Sequence, residues 1–558
     1  MIIVVSFLFA FVLFRVFYVQ VVWGKDLQAK AIDQWTREVP IIATRGIIQD
    51  TNGVVLADNK DTYTVFVRKR AVKNVEKLAK ELSKILEMSE DYVYNRLTTT
   101  ISSEITIKKQ VEKGKIEQIV SLNESGVYYS RDNSRIYPYN ELLSSVLGFT
   151  STDGKGQAGL ELYYDKYLTG QNGEIQYETD IVGVEIDGKN AKYIPATNGL
   201  NVKLSVDYEI QKLCENSVAE AMEQTKAKSV SMLVVNPQNG AIVAMANKPS
   251  VDLNNPPRNN LDELYKKTRN TLICDVYEPG STFKILTAAA NIEEYLRGNT
   301  RAFSPSHVFS SSRYRYIDGR KVKCWSNHTN GKHSNLTLSG GLNNSCNPIF
   351  VDIAMSLGKE KMYEYIEKFN YGRVTGIDFK GEAQGMVLPI NYVQNMDLAR
   401  ISFGQTIACT PLQLAMATCS MINGGNYYSP YLVEEIYSNE GIVVQRVDPK
   451  PKNKTISENA SNILNEMLEK VVSEGSGKNA YIEGYRVAGK TGTAQKYENG
   501  VIAQGKYVSS FIGYFPSDKP RYLALVIVDE PVGQYYGSIV ASPYAKKVFE
   551  GIINLDKL

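Results

Sequence analysis

Apolar residues run almost unbroken from Ile2 to Trp23, interrupted by Ser6, Arg15 and Gln20. At 1.5 Å per residue a helix of that length matches the hydrocarbon core of a bilayer. A cleaved signal peptide would show a basic start, a shorter apolar core and a small-residue cleavage site, and none of these is present. Trp23 followed by Lys25 reads as an interfacial edge. Arg15 costs about 2.5 kcal/mol at mid-depth unless its guanidinium reaches the interface. The pattern predicts a transmembrane anchor over residues 1–23.

The next stretch, 24–205, mixes periods. Residues 36–57 alternate in the manner of strands around an Asn52-Gly53 turn. Residues 71–98 carry Leu, Ile and Tyr at three- and four-residue spacing and read as one helix. Gly154 to Gly173 is glycine-rich and polar. No metal or nucleophile set occurs here, so 24–205 is read as a non-catalytic docking or spacer domain.

From Val206 the pattern sharpens. An amphipathic helix runs to about 225, then 229–237 and 240–246 form a hairpin through Gln238-Asn239-Gly240. Helical spacing dominates from 281 to about 425. Strands return at 508–515 and 522–528, and a helix from about 542 follows. Strands, helices, then strands again predict one α+β domain over 206–558, with a sheet completed from both ends.

Composition changes this picture little. A chain of 558 residues needs more than one core, and a net charge of +3 lacks the footprint of a nucleic-acid binder. Six cysteines are too scattered for a disulfide scaffold, and Cys214, Cys274, Cys409 and Cys419 read as core residues. All three histidines lie between 307 and 333.

The chemistry centres on Tyr277-Glu278-Pro279-Gly280-Ser281-Thr282-Phe283-Lys284, which opens an apolar helix. Ser281 and Lys284 then share the first turn, a hydroxyl beside an amine and near free backbone N–H groups. A weak nucleophile gains there both a base and an oxyanion site. Two further patterns follow: Ser345-Cys346-Asn347, at a turn between helices, and Lys490-Thr491-Gly492-Thr493, an edge strand whose glycine admits a substrate backbone. Ser356 to Lys359 and Ser457 to Asn459 repeat two of the spacings without the context.

In this order and context the three patterns resemble those of the class B penicillin-binding proteins, which are D,D-transpeptidases. The resemblance covers nearly the whole chain. It extends to Arg45-Gly46, Asp50, Gly53 and Leu56-Ala57, to Gly156-Gln157-Ala158-Gly159-Leu160-Glu161, and to Ser402-Phe403-Gly404-Gln405-Thr406. It implies an anchor, an elongated mixed pedestal or dimerisation domain over 24–205, and a penicillin-binding transpeptidase domain with a central antiparallel sheet flanked by helices. The anchor would leave a short cytoplasmic end, with the bulk of the chain outside a single-pass cell membrane. Relatives usually carry basic residues before the anchor, and this sequence shows none.

The resemblance also implies roles. Ser281 attacks the penultimate D-alanine carbonyl of a peptidoglycan stem peptide, with Lys284 as base and Ser345 relaying the proton. Asn347 offers its amide to Lys284 and to substrate. Lys490 and Thr491 bind the terminal carboxylate, or that of a β-lactam antibiotic, and Ser281 and Thr493 supply oxyanion N–H groups. No cofactor is required. Glycan polymerisation would fall to a membrane glycosyltransferase of the shape, elongation, division and sporulation (SEDS) class. A D,D-carboxypeptidase and a non-enzymatic β-lactam sensor are the alternatives. Cys324-Trp325 with Ser345-Cys346-Asn347-Pro348 looks most like the sporulation-specific subgroup of spore-cortex synthesis, with septal division as the other role. No β-lactam-sensing repeat of the kind some sporulation relatives carry follows Gly492.

Cys324, His328, His333 and Cys346 form a second set, C-x3-H-x4-H-x12-C. Thiolate and imidazole are ligands that Zn²⁺ prefers, and four of them close a structural site. Cys324-Trp325, Gly331-Lys332-His333 and Cys346 resemble the zinc ligands of some class B relatives. His328 is read as the fourth ligand, with His307, Cys274 and Asp275 as rivals. Cys346, between Ser345 and Asn347, should point away from the cleft.

Overall fold

The structure is a computed structural model that describes residues 1–27, 36–102, 104–178, 192–328, 333–498 and 501–557. Gly331 and Lys332 lie outside the described residues. The apolar start is helical over Ile2–Phe17, and Tyr18–Val22 continues it as a wider turn. Within the described residues this is the one helix long and apolar enough to cross a membrane. The Arg15 guanidinium lies 5.7 Å from the centre of the Trp23 ring.

Two compact units make up the chain. The first comprises Met1–Gly46, Asn59–Ser134 and Tyr167–Leu200. Its core sets Val65, Val67, Ile105 and Ile107, from two paired strands, against Leu78, Leu82, Leu86, Val93 and Leu97. The helix expected over 71–98 is two helices, Val75–Leu86 and Glu90–Thr99. Glu87 adopts a left-handed conformation (φ 55°) that ends the first, and Ser89 stands at the N-cap of the second. The apolar spacing survives the break, which is why periodicity alone does not reveal it.

The second unit comprises Ile47–Asp58, Arg135–Lys166 and Asn201–Leu558. Segments 47–58 and 135–166 fall inside the stretch read above as non-catalytic, yet they cluster here. Ile48–Gln49 pairs in parallel with Asn201–Leu204. Tyr164 donates its hydroxyl to Asp378 at 2.7 Å, and Arg135 and Glu161 form a buried pair at 2.6 Å. Nothing in hydrophobic periodicity carries such long-range ties. The Asn52-Gly53 turn forms as expected, with Asp50 accepting the N–H groups of Asn52 and Val54.

Asp207 caps helix α1 (Tyr208–Thr225) by accepting the Ile210 N–H. The hairpin of β1 (Ser229–Val235) and β2 (Ile242–Lys248) follows. Then come α2 (Lys284–Leu296), α3 (Asn347–Leu357), α4 (Pro411–Ile422) and α5 (Glu458–Ser473). The sheet is completed by β3 (Ala488–Glu498), β4 (Val501–Phe515) and β5 (Tyr522–Asp529), and α6 (Ser542–Asp556) follows. The order is β2-β1-β5-β4-β3, antiparallel throughout, with β3 on an edge.

Helices α1 and α6 cover one face, where Val218, Met232, Phe511, Val526 and Phe549 meet. Helix α4 packs on β1 and β5, and α5 on β3. Helix α2 is buried from Lys284 to Glu294, because the run Ile285–Ala290 presents apolar side chains all round. The interval 281–425 is less helical than expected. A hairpin of Tyr314–Ile317 and Arg320–Lys323 delivers Cys324 and Trp325, and Met386–Val387 pairs with Ile407–Ala408. These strands are too short for periodicity to show.

The turn before α2 is set by a close approach of backbones. Gly280 (φ 56°) donates its N–H to the Gly404 carbonyl at 2.9 Å. A Cβ on Gly404 (φ 82°) would sit 2.1 Å from the Gly280 carbonyl oxygen, whereas one on Gly441 (φ 81°) would meet nothing. Gly441→Ala should therefore carry backbone strain alone, about 1 kcal/mol. Gly404→Ala should lose appreciably more stability, about 3 kcal/mol. Paired thermal or urea unfolding of the two variants checks this; equal losses would mean the contact with Gly280 carries no weight.

Candidate active site

Three pieces of chain bring the expected side chains together. The first is a 3₁₀ turn, Gly280–Phe283, which places Ser281 just before Lys284 opens α2. The expectation was a first α-helical turn, but the tighter turn still sets the two side chains on one side. Lys284 Nζ donates to Ser281 Oγ at 3.1 Å.

The second is the loop between Leu338–Asn343 and α3. Ser345 sits there at φ 52°, a left-handed conformation unusual for a residue with a side chain. Lys284 Nζ also donates to Ser345 O at 2.8 Å, to Ser345 Oγ at 3.0 Å and to Asn347 Oδ1 at 2.6 Å. Trp325, exposed on its outer side, donates its indole N–H to the carbonyls of Asn344 (3.2 Å) and Ser345 (3.1 Å). Trp325 entered the sequence reading only as the neighbour of Cys324. Its spacing from the loop carries no signal of this clamp.

The third is the edge strand β3. Lys490 Nζ donates to Ser345 Oγ at 3.1 Å and to Thr491 O at 3.1 Å. Gly492 must be glycine, since a Cβ would lie 2.4 Å from Ser510 Oγ and 3.0 Å from Thr282 Cγ2. Thr493 Oγ1 donates to Gly492 O at 2.8 Å and accepts the Gly537 N–H at 3.1 Å. Ser281, Ser345, Asn347, Thr491, Gly492 and Thr493 line one cleft of about 340 Å³. Trp325, Phe403, Gln405, Tyr535 and Tyr536 share its walls. Tyr535-Tyr536 was missed; the glycines flanking it, Gly533 and Gly537, are the one local signal of a shaped loop.

Lys284 and Lys490 are both fully buried, and among the described residues no carboxylate touches either. Burial lowers the Lys284 ammonium to about 8, with nearby Cys324 and Cys346 opposing the shift. Burial, and then the charge of Lys284, push Lys490 well below the usual lysine range. A buried amine near 8 beside a hydroxyl can take its proton at neutral pH. A second hydroxyl between two amines can pass that proton on. The arrangement suits nucleophilic acyl transfer to an anionic substrate.

The repeated spacings lie elsewhere. Ser356 donates to the Arg301 carbonyl beside the α3 terminus, and Ser457 caps α5. Neither enters the cleft.

Cys324, His328, His333 and Cys346 converge, with their ligand atoms all within 4.8 Å of one another. Cys346 turns away from the cleft into this group, 3.8 Å from His328 Nε2. His328 Nδ1 donates to the Ser311 carbonyl at 2.9 Å, which leaves the Nε2 lone pair free. His333 Nδ1 is buried, with no partner among the described residues. Burial holds His333 low, in its neutral form. The Cys346 thiol beside Cys324 holds the Cys324 thiol well below its ordinary range, and Cys346 is pushed up in turn. The rivals are occupied otherwise. His307 packs against Phe303 and Phe309, and Asp275 pairs with Arg269. Cys274 is half-exposed rather than a core residue, because Thr271–Cys274 is a single short turn near the surface.

Known proteins match along the same lines. The family described as penicillin binding protein transpeptidase domain matches residues 230–550, and penicillin-binding protein dimerisation domain matches 40–204. Stage V sporulation protein D of Bacillus subtilis is 39% identical over 95% of this chain and 81% of its own length. Peptidoglycan D,D-transpeptidase FtsI of Escherichia coli is 30% identical over 98% and 89%. Among solved structures, a peptidoglycan synthetase from Bifidobacterium adolescentis superposes with a TM-score of 0.74 at 24% identity, covering 94% of this chain and 97% of that one.

Lys284 offers a direct check on this electrostatic picture. Between about 8 and the ordinary 10.5, the unfolded chain holds a proton that the folded chain has released. Folding stability should therefore rise with pH across that window, and the penalty should be fully present below 8. The whole effect is about 3 kcal/mol. Lys284→Met should remove that rise, so the variant's unfolding free energy minus the native chain's should fall from pH 7 to pH 10. A constant difference would contradict a depressed Lys284.

Proposed function

The chain belongs to the class B penicillin-binding proteins, the peptidoglycan D,D-transpeptidases, and we propose that Ser281 is the nucleophile through which it works. The observation that carries this is Lys284, an amine buried without a carboxylate and 3.1 Å from Ser281 Oγ.

In the first step Ser281 Oγ attacks the penultimate D-alanine carbonyl of a stem peptide. Neutral Lys284 takes the hydroxyl proton. Backbone N–H groups of Ser281 and Thr493 receive the oxyanion, each donor contributing about 3 kcal/mol of transition-state stabilisation. The peptide bond then breaks. The proton passes through Ser345 to the leaving D-alanine amine, and a Ser281 ester remains. In the second step an amine of another stem attacks the ester. Its proton returns through Lys284 to Ser281, and a cross-link is formed. Lys490, Thr491 and Thr493, with Gly492 leaving room for the substrate backbone, hold the terminal carboxylate. Asn347 orients Lys284 and the donor amide. A β-lactam presents the same carboxylate and a reactive amide, and it stops at the ester.

Residues 1–23 are assigned to a single-pass membrane anchor, 24–205 to the non-catalytic pedestal and 206–558 to the transpeptidase domain. The bulk of the chain then lies outside the cell membrane, beside its substrate. A SEDS-type membrane glycosyltransferase is the partner that would supply glycan strands. The higher identity to a sporulation protein than to FtsI supports work in spore-cortex synthesis.

Cys324, His328, His333 and Cys346 are assigned to a structural Zn²⁺. Their donor types fit that ion, and an unpartnered buried His333 Nδ1 fits a missing ligand partner. The ion would brace the loop carrying Ser345 and supply no chemistry to the acyl transfer.

Fluorescent penicillin should label the native chain covalently and leave Ser281→Ala unlabelled. The acylation rate should climb from pH 6 and level off above about 8, as Lys284 loses its proton. Cross-linked muropeptide should form with membrane-linked substrate; D-alanine release without any dimer would instead mark a carboxypeptidase. For the ion, elemental analysis should find one zinc per chain. Chelation should lower both the melting temperature and the acylation rate. A chelator that changes neither would remove the metal assignment.

A further inference from the structure

Beyond Thr493 the open edge of β3 continues into a second hollow, of about 830 Å³. Ala494, Gln495 and Lys496 form one wall. The other is the pair of short strands Met386–Val387 and Ile407–Ala408, with Tyr277 tied to Cys409 by two backbone hydrogen bonds of 3.0 Å. The lining is largely apolar, and Glu278 lies among it, three residues before Ser281.

Glu278 is half-buried, and its Oε1 accepts the Thr406 N–H at 2.9 Å. Among the described residues no cation pairs with it. Lys496 lines the same hollow but is held by Asp529 at 2.8 Å and Glu530 at 2.7 Å. Arg400 is exposed and acts on Glu278 only from a distance. Burial pushes the Glu278 carboxyl up. A carboxylate in an apolar hollow without a counter-charge is costly unless a ligand brings one.

The direction of the substrate identifies that ligand. A terminal carboxylate held at Lys490 and Thr491 lays the donor peptide antiparallel to β3. At about 3.3 Å per residue, the attacked D-alanine faces Thr493 and the residue before it reaches Ala494 and Gln495. Cross-linking needs an amine on the acceptor stem. The donor stem is another molecule of the same kind, so it carries that amine too.

We infer that the hollow receives the amine-bearing side chain of the donor residue preceding the attacked D-alanine, with its methylenes against the apolar walls and its ammonium paired to Glu278. This rests on the reading of Ser281 given above. It adds a specificity residue for the donor and has a consequence for acceptance: an ammonium held by Glu278 keeps its proton and cannot attack the ester of its own stem.

The test uses the full chain in detergent and two synthetic donors ending in D-alanyl-D-alanine. They differ only in the preceding side chain, a free amine in one and its N-acetyl form in the other. The native chain should release D-alanine from the amine donor with a kcat/KM about tenfold higher. In Glu278→Gln, which keeps an acceptor for Thr406, the ratio should fall to near one, while Glu278→Asp should retain part of it. The native ratio stands whether or not a variant folds. Equal use of both donors by the native chain, or an undiminished ratio in Glu278→Gln, would overturn the inference alone. Release from neither donor, with Ser281→Ala indistinguishable from native, would overturn the reading of Ser281 and this inference with it.

Discussion

Two lysine side chains, Lys284 and Lys490, end fully buried on the same serine hydroxyl, and among the described residues no carboxylate lies between them. Taking an ammonium group out of water is costly, and neutral acceptors alone offset only part of that. The site therefore favours loss of a proton from Lys284. The rest of the unit can be read as what holds this unfavourable arrangement in place. Helix α2 is buried on nearly every side, so Lys284 cannot swing out to water. Strand β3 fixes Lys490 from the opposite wall through its ladder with β4.

The loop carrying Ser345 bears the remaining strain. A serine at φ 52° persists only where its surroundings over-determine it. Here Trp325 grips its carbonyl from outside, Lys284 grips the same carbonyl from inside, and Cys346 packs into the cysteine–histidine group behind. The hairpin that delivers Cys324 and Trp325 thereby connects a distant part of the chain to the position of one hydroxyl. Close contacts at Gly404, with the Gly280 backbone, and at Gly492, with the Ser510 and Thr282 side chains, complete the positioning, because any side chain there would displace its neighbours.

Much of this was legible in the sequence, and the reasons differ by residue. Ser281 and Lys284 stand in a local context, a Pro-Gly entry to an apolar helix, that survives whatever the tertiary structure does. The edge position of Lys490–Thr493 was legible from glycines and from the strands that follow. The break at Glu87 was not, since the apolar spacing runs through it. The membership of 47–58 and 135–166 in the second unit was not, because it rests on partners such as Asp378 that lie hundreds of residues away. Glu278 was quoted as part of the motif without a role, for a carboxylate's lack of a counter-charge is visible only once its neighbours are placed.

The shared hydroxyl also explains why one substrate group can control the chemistry of another. In the free site Lys490 is pushed toward neutrality by burial and by Lys284. On the proposed reading, a substrate carboxylate arriving at Lys490 and Thr491 would supply a counter-charge and favour the protonated form of Lys490. Both amines lie within 3.1 Å of the same Ser345 oxygen. A positive Lys490 there disfavours a positive Lys284. Binding of the terminal carboxylate would thus favour the neutral form of Lys284 as a carbonyl comes to stand before Ser281. Peptides without a free C-terminal carboxylate would bring no such counter-charge and leave Lys284 nearer its resting state. Recognition and activation would in this way be one electrostatic event, because among the described residues no carboxylate lines the cleft.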